Sequence, residues 1–183
     1  MLEKYLIEYC APTLAALKTA SLFCVPVKNG CELDMQIKKL DDFLNRKGLT
    51  LLVLKRYENR ALIYLYRKSH LQKDLLKPGV ENFLKKLGYN SIDEKYLLER
   101  LKKRILKLKS FPHEIGIFLG YPLGDVIGFI NNNGKNSKFN GYWKVYCNEF
   151  ETFKLFTKIK KCRDTYIRLW EQGKTIRQLT VAA

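Results

Sequence analysis

The chain has few of the residues that build metal sites, disulfide frameworks or membrane spans. It contains only two histidines, and its five cysteines are irregularly spaced with no Cys-x-x-Cys pair, so no zinc ribbon or disulfide scaffold is expected. Residues 11–27 are apolar but are interrupted by Pro12, Lys18 and Pro26, which makes them unsuitable for crossing a bilayer. The N-terminus lacks the basic leader of a signal peptide. These absences predict a cytoplasmic protein with reduced thiols and without a metal or a membrane segment.

Acidic residues are scarce as well. Eighteen Asp and Glu stand against 34 Lys and Arg, which gives a net charge of +16 at neutral pH. This excess predicts an anionic partner, either a small anion, a nucleic acid or an acidic protein, through long-range attraction. A lysine-rich composition that follows the genome's base composition explains the same excess, and both explanations remain open. The phosphate-binding patterns GxxxxGK[ST] and GxGxxG are absent, so the sequence identifies no cofactor.

Length and periodicity predict one domain, residues 1–183, with an α+β fold. Helical spacing of apolar residues predicts several helices, including a long one near the C-terminus. The order of elements does not alternate as in a doubly wound fold, so we expect a small, mostly antiparallel sheet packed by helices. About four segments rich in β-forming residues predict its strands, at 21–27, 49–57, 60–67 and 141–147.

The stretch FPHEIGIFLGYPLGDVIGFI, residues 111–130, interrupts an apolar run with Gly, Pro and acidic residues that a buried helix does not need. Pro112 suits the first position of a helix, and Gly120 followed by Pro122 ends one, so two short helices joined at Gly120-Tyr121 are predicted. The second helix is apolar apart from Asp125, which does not suit the reading of DNA bases.

His113 and Glu114 begin this stretch with an imidazole next to a carboxylate. Such a pair can act as a general acid and base, which makes both residues candidate catalytic groups. The alternative is structural, with Glu114 interacting with the helix dipole and His113 as a capping or half-buried polar residue. The sequence leaves both interpretations open.

Further residues are candidates for binding a ligand. Lys18 is the one charge in an apolar stretch, and Gly128 lies on a small-residue face that predicts either close packing or close approach of a ligand. Strand alternation places Tyr142 and Lys144 on one face, where a tyrosine could stack on a base and a lysine could contact a phosphate. The full set of candidates is Lys18, Tyr121, Asp125, Gly128, Tyr142 and Lys144.

A helix predicted from Asp93 to residue 109 carries the densest basic surface of the chain. Its apolar face predicts packing, and its basic face predicts either simple solvation or a track for phosphates. The residues that could contact nucleic acid are Arg100, Lys102, Lys103, Arg104 and Lys107, with Lys109 on the same surface.

The motif at 111–130 occurs together with CAPTLAALKTASLF at 10–23, GYWKVY at 141–146 and KKC at 160–162. This combination resembles an uncharacterised bacterial family of unknown function, and the likeness covers nearly the whole chain. The resemblance implies a small cytosolic protein and brings no activity, cofactor or catalytic residue with it. An acidic residue usually stands in the family pattern where this chain has Gly124.

Two hypotheses of function follow from these observations. The first is a cytosolic protein with a pocket for a small anionic ligand at residues 111–140, which could be an enzyme using His113 and Glu114. The second is a module that binds RNA or an acidic partner through its basic helices.

Overall fold

The structure, a computed structural model, describes residues 2–108 and 111–182. The chain divides into two compact units, of which the first comprises the chain up to Leu71 and again from Lys160 onwards, and the second comprises Gln72–Ile159. That residues 1–183 form a single domain stays a prediction. The elements run in the order α1 Leu2–Leu14, β1 Ala20–Pro26, α2 Gly30–Asn45, β2 Leu49–Arg56, β3 Arg60–Arg67, α3 Lys68–Leu75, α4 Val80–Lys86, α5 Glu94–Lys107, α6 Ile115–Phe118, α7 Leu123–Asn131, β4 Phe139–Asn140, β5 Lys144–Val145, α8 Glu149–Glu171 and α9 Ile176–Leu179.

The first unit is built on an antiparallel sheet with the strand order β1-β3-β2. Strands β2 and β3 are consecutive in the chain and form a hairpin, and β1 adds to the other edge of β3. The central strand is buried from Ala61 to Arg67, as expected for a run that is apolar on both faces. Helices α1, α2 and α9 supply further residues to the core of this unit, among them Leu6, Leu44 and Leu179.

Arg67 connects three segments of the first unit, a role that no sequence pattern predicted. Its side chain is fully buried at the end of β3. The Nε atom donates to the Thr13 carbonyl at 2.6 Å, and Nη2 donates to the carbonyls of Leu14 and Val181 at 2.7 Å each. The first two carbonyls end α1, where helical partners run out, so the guanidinium satisfies this helix end and holds the C-terminal tail.

The second unit is mainly helical. Helices α6 and α7 are the two short helices predicted for residues 111–130, and the chain turns between them at Gly120, whose φ is +78°. Strands β4 and β5 pair as a short antiparallel hairpin. The first part of α8 packs on this hairpin through a small apolar cluster that contains Val145, Phe156 and Ile159.

The predicted α+β class is confirmed, whereas the prediction of a fourth strand in the sheet is wrong. Only Lys144 and Val145 of the segment 141–147 are in a strand, and they pair with β4 instead of the three-stranded sheet. The strand ends there because the next two backbone N–H groups, of Tyr146 and Cys147, donate to the Asp125 carboxylate. Within the described ranges, no helix is long and apolar enough to span a membrane.

Candidate functional site

A cavity of about 310 Å³ lies within the second unit, between helices α6 and α7 and the β4–β5 hairpin. Six of its lining residues have aromatic or basic side chains. These residues are His113, Tyr121, Phe129, Tyr142, Trp143 and Lys144. The remaining lining includes two polar residues, Asp125 and Asn140, and otherwise small or aliphatic residues. The volume is at the lower end of the range of small-molecule sites in proteins, roughly 300 to 1,000 Å³.

Asp125 holds the hairpin against α7. It lies in the first turn of α7 and its side chain is only 2% exposed. Its Oδ1 atom accepts from the backbone N–H of Tyr146 at 2.7 Å and of Cys147 at 2.9 Å, and from the Cys147 thiol at 3.1 Å. Its Oδ2 atom accepts from the Trp143 indole at 2.8 Å. Burial, helped by the hydrogen bond to Asp125, raises the pKa of Cys147 to about 11, so this thiol stays protonated and donates.

The indole of Trp143 is fixed on three sides. The ring of Tyr121 stacks on it with centroids 4.5 Å apart and planes inclined by 23°. Phe156 of α8 meets it edge-on at 4.5 Å, and Asp125 accepts its N–H. Burial raises the pKa of Tyr121 to about 12, so its hydroxyl remains protonated at neutral pH. These contacts hold the rings of Trp143 and Tyr121 in place without a ligand.

The basic side chains of the cavity gather around Phe129. The imidazole of His113 lies against the Phe129 ring, with centroids 4.9 Å apart. The ammonium of Lys144 donates to the Gly134 carbonyl at 2.6 Å, and Gly134 itself packs against the Phe129 ring. The chain therefore brings a histidine and a lysine to one part of the wall although they are far apart in sequence.

Comparisons with known proteins bear on the family of this chain. Residues 6–180 match the sequence profile of a family described as Protein of unknown function (DUF3793). The chain belongs to this family. The resemblance predicted from its motifs is thereby confirmed. A search of curated proteins found no significant match. A search of solved structures found none either.

Several residues predicted for the site do line the cavity of this DUF3793 protein, namely His113, Tyr121, Asp125, Tyr142 and Lys144. Asp125 has a structural role in the cavity wall, because its carboxylate accepts hydrogen bonds from the hairpin and from the residues that follow it. Trp143 and Phe129 are lining residues that were not predicted. Alternation along a strand places Trp143 on the face opposite Tyr142 and Lys144, and an isolated phenylalanine in an apolar helix carries no signal of its own.

Glu114 corrects the prediction of an acid/base pair. Its side chain is 3% exposed, and Oε1 accepts from Arg104 Nε at 2.5 Å and from the Tyr89 hydroxyl at 3.1 Å. It is not among the residues that line the cavity, whereas His113 is. Its carboxylate therefore forms an internal ion pair that links α5 to the start of α6. His113 and Glu114 are adjacent in sequence, but the Glu114 side chain faces the interior and His113 is exposed.

Gly128 corrects a second prediction, since it faces away from the cavity. A Cβ atom at this position would lie 2.5 Å from Cγ of Tyr146. Gly124 is similar, because a Cβ atom there would lie 2.9 Å from the Cys147 sulfur. Both glycines let the segment after β5 pack directly on the backbone of α7, which is the packing alternative and not the ligand alternative.

The basic helix α5 keeps only part of its predicted surface. Lys102, Lys103 and Lys107 are exposed, while Arg100 and Arg104 are half-buried. Arg104 donates to Glu114 and to the Leu87 carbonyl, so it belongs to the interior of the unit. Arg104 is therefore engaged within the protein, and nucleic-acid contact by the other residues of this surface stays a prediction. Lys109 lies outside the described residues.

Lys18 does not line the cavity and belongs to the first unit. Burial lowers the pKa of Lys18 to about 8. Cys10 is fully buried, and this burial raises the pKa of its thiol, so it stays protonated. In the described ranges, no three metal-binding side chains come together as a metal site.

Proposed function

We propose that this protein binds a small anionic ligand in the cavity of the second unit. The observation that carries the proposal is the division of hydrogen-bonding groups in the cavity wall. The one carboxylate, on Asp125, already accepts four hydrogen bonds from the protein. The charged group that retains hydrogen-bonding capacity is a donor, the ammonium of Lys144. A ligand that offers acceptors and negative charge suits this wall better than one that offers donors.

Lys144 is well placed for the role. An ammonium has three donors, and the Gly134 carbonyl accepts one of them. That bond also orients the side chain along the cavity wall, which lowers the entropy lost when a ligand binds. His113 adds an imidazole that can donate a second hydrogen bond from the same part of the wall.

The surrounding charge supports the proposal as well. The chain carries a net charge of +16, which raises the local concentration of small anions and speeds their association. We also propose a cytoplasmic location, because all five cysteines are free thiols, as expected in a reducing compartment. The proposal concerns binding, since the carboxylate of Glu114 is paired with Arg104 and does not support acid/base catalysis with His113.

Native mass spectrometry of untagged protein after a high-salt wash tests the proposal directly. We expect an additional small mass on the wild-type protein that is reduced in Lys144→Gln, because a hydrogen bond from a charged donor contributes about 1.5 to 3 kcal/mol. Lys135→Gln is the matched control: it removes the same charge from the neighbouring loop, and Lys135 is exposed and does not line the cavity.

Two outcomes would overturn this proposal. One is equal loss of the small mass in both lysine variants, which would mean that long-range charge alone retains the anion. The other is nucleic acid that is present before the wash and stripped by salt, with no small mass left. That result would favour the exposed lysines of α5, whose contacts with phosphates are salt-dependent.

A further inference from the structure

We infer that the anion bound in this cavity carries a planar heteroaromatic ring, with a single phosphate or carboxylate, and is of about the size of a mononucleotide. This inference rests on the proposed function and names the class of ligand for the same cavity. It comes from the kind of surface that the cavity presents next to its basic groups.

Aromatic rings make up an unusual share of the wall. Tyr121, Phe129, Tyr142 and Trp143 all line the cavity, and His113 adds a fifth ring. Tyr121, Phe129 and Trp143 are half-buried, so part of each ring surface remains open to the cavity. Aromatic faces stack on any flat ring with little dependence on its identity, which is how proteins hold unpaired nucleobases.

The stacking surface is also held in place. Trp143 is bound by Asp125 through its N–H and by Phe156 at its edge, and Tyr121 lies parallel to it. Rings that are already ordered lose little entropy when a ligand stacks on them. A purely structural aromatic cluster would be closed by its neighbours, whereas this one borders a cavity of about 310 Å³.

The position of the basic groups gives the ligand a direction. The His113 ring contacts the Phe129 ring directly. Lys144 donates to the carbonyl of Gly134, which packs against the same ring. The stacked pair of Tyr121 and Trp143 lines the same cavity. A molecule with a ring at one end and an acidic group at the other can satisfy both parts together, which a bare phosphate cannot.

Size and charge favour this class of ligand. A cavity at the low end of the usual volume range matches one ring system with one acidic group. An aromatic wall can also bind a quaternary ammonium through cation–π contacts. Here the Lys144 ammonium is part of the wall and would repel a second cation, and the Asp125 carboxylate already accepts four hydrogen bonds from the protein.

Calorimetric titration of the full chain with matched probes tests the inference. The probes with a heteroaromatic base are AMP, GMP, UMP and CMP, and ribose 5-phosphate is the control with the same sugar and phosphate but no base. Inorganic phosphate and choline complete the set. We expect the tightest mononucleotide to bind at least about fivefold more tightly than ribose 5-phosphate, from the stacking of one base.

Variants at Tyr121 separate stacking from folding. Tyr121→Leu should bring mononucleotide affinity down to that of ribose 5-phosphate and leave the latter unchanged, whereas Tyr121→Phe keeps the ring and should keep the affinity. Tyr57→Leu, in the first unit, is the control for loss of a tyrosine. Excitation at 295 nm in a Trp170→Phe background, which leaves Trp143 as the sole tryptophan, reports whether binding occurs at the cavity.

The outcomes distinguish the two proposals. Equal affinity for ribose 5-phosphate and every mononucleotide would overturn the ring inference and leave the anion proposal standing. Tight mononucleotide binding that Lys144→Gln does not weaken would overturn the anion proposal and leave stacking standing. Binding of choline in preference to every anion, or no binding of any probe, would overturn both.

Discussion

Replacing Asp125 by Asn is the most direct test of how the cavity is built. The substitution keeps the shape of the side chain and replaces one carboxylate oxygen by an amide donor. If the amide oxygen takes the place of Oδ1, it can still accept from Tyr146 and Cys147, but the new NH₂ group faces the Trp143 indole N–H. The reverse orientation is worse, because the NH₂ group then faces three donors.

The expected cost can be worked out from these contacts. A buried donor without an acceptor costs about 1 to 3 kcal/mol, which here applies to the indole N–H. The remaining bonds weaken as well, since bonds to a charged acceptor are roughly twice as strong as neutral ones. We expect Asp125→Asn to lower the free energy of unfolding by about 2 to 4 kcal/mol. Asp164→Asn, at an exposed position of α8, is the matched control and should change it by less than about 0.5 kcal/mol.

A double-mutant cycle with Trp143→Phe isolates the contact. Phenylalanine has no N–H, so Asp125→Asn should cost about 1 to 3 kcal/mol less in that background than in the wild type. Urea unfolding followed by circular dichroism measures all four proteins of the cycle. A coupling energy below about 0.5 kcal/mol, the usual limit of additivity, would refute the assignment of Asp125 as the anchor of the hairpin.

Three further predictions concern residues whose positions the structure defines. Gly128→Ala places a Cβ atom 2.5 Å from the Tyr146 ring and should destabilise by about 1 to 3 kcal/mol in urea, whereas Gly30→Ala, with its nearest atom at 4.0 Å, should not destabilise. Glu114→Gln should lower the free energy of unfolding by about 1 to 2 kcal/mol, because Arg104 loses its negatively charged partner and keeps only a neutral hydrogen-bond acceptor. An unchanged unfolding midpoint would contradict the ion pair. Lys18 has a pKa of about 8 in the folded chain and 10.5 as its ordinary value, so the unfolded chain binds more protons between these values and stability rises with pH there. The stability of Lys18→Met relative to wild type should therefore fall by up to about 3 kcal/mol from pH 7.5 to 10.5, and a difference independent of pH would contradict the burial of this amine.

Local signals in the sequence predicted much of the secondary structure. Strands β2 and β3 follow from two β-rich runs across a gap too short for anything but a hairpin. The helix end at Gly120 follows from a glycine in the left-handed region close to a proline, and the structure has φ of +78° there. The segment 141–147 failed because its strand ends where backbone N–H groups bond to Asp125, about twenty residues earlier in the chain.

The candidate site could be predicted only in part. Residues 113, 121, 142 and 144 line one cavity, two of them outside the predicted region 111–140, and that a ligand binds there stays a prediction. Which acidic residue is available to a ligand could not be predicted, because the partners of Glu114 and Asp125 come from α5, from the loop before it, and from the hairpin. Periodicity does not encode such distant contacts.

The sequence by itself determined the α+β class, the family and the excess of positive charge. These properties depend on composition, on short-range spacing and on a continuous motif, all of which can be read along the chain. Only the tertiary structure decided that Asp125 and Glu114 serve the fold while Lys144 and Trp143 border an open volume. The reason is that burial and hydrogen-bond saturation depend on which distant atoms surround a side chain, and packing alone brings those atoms together.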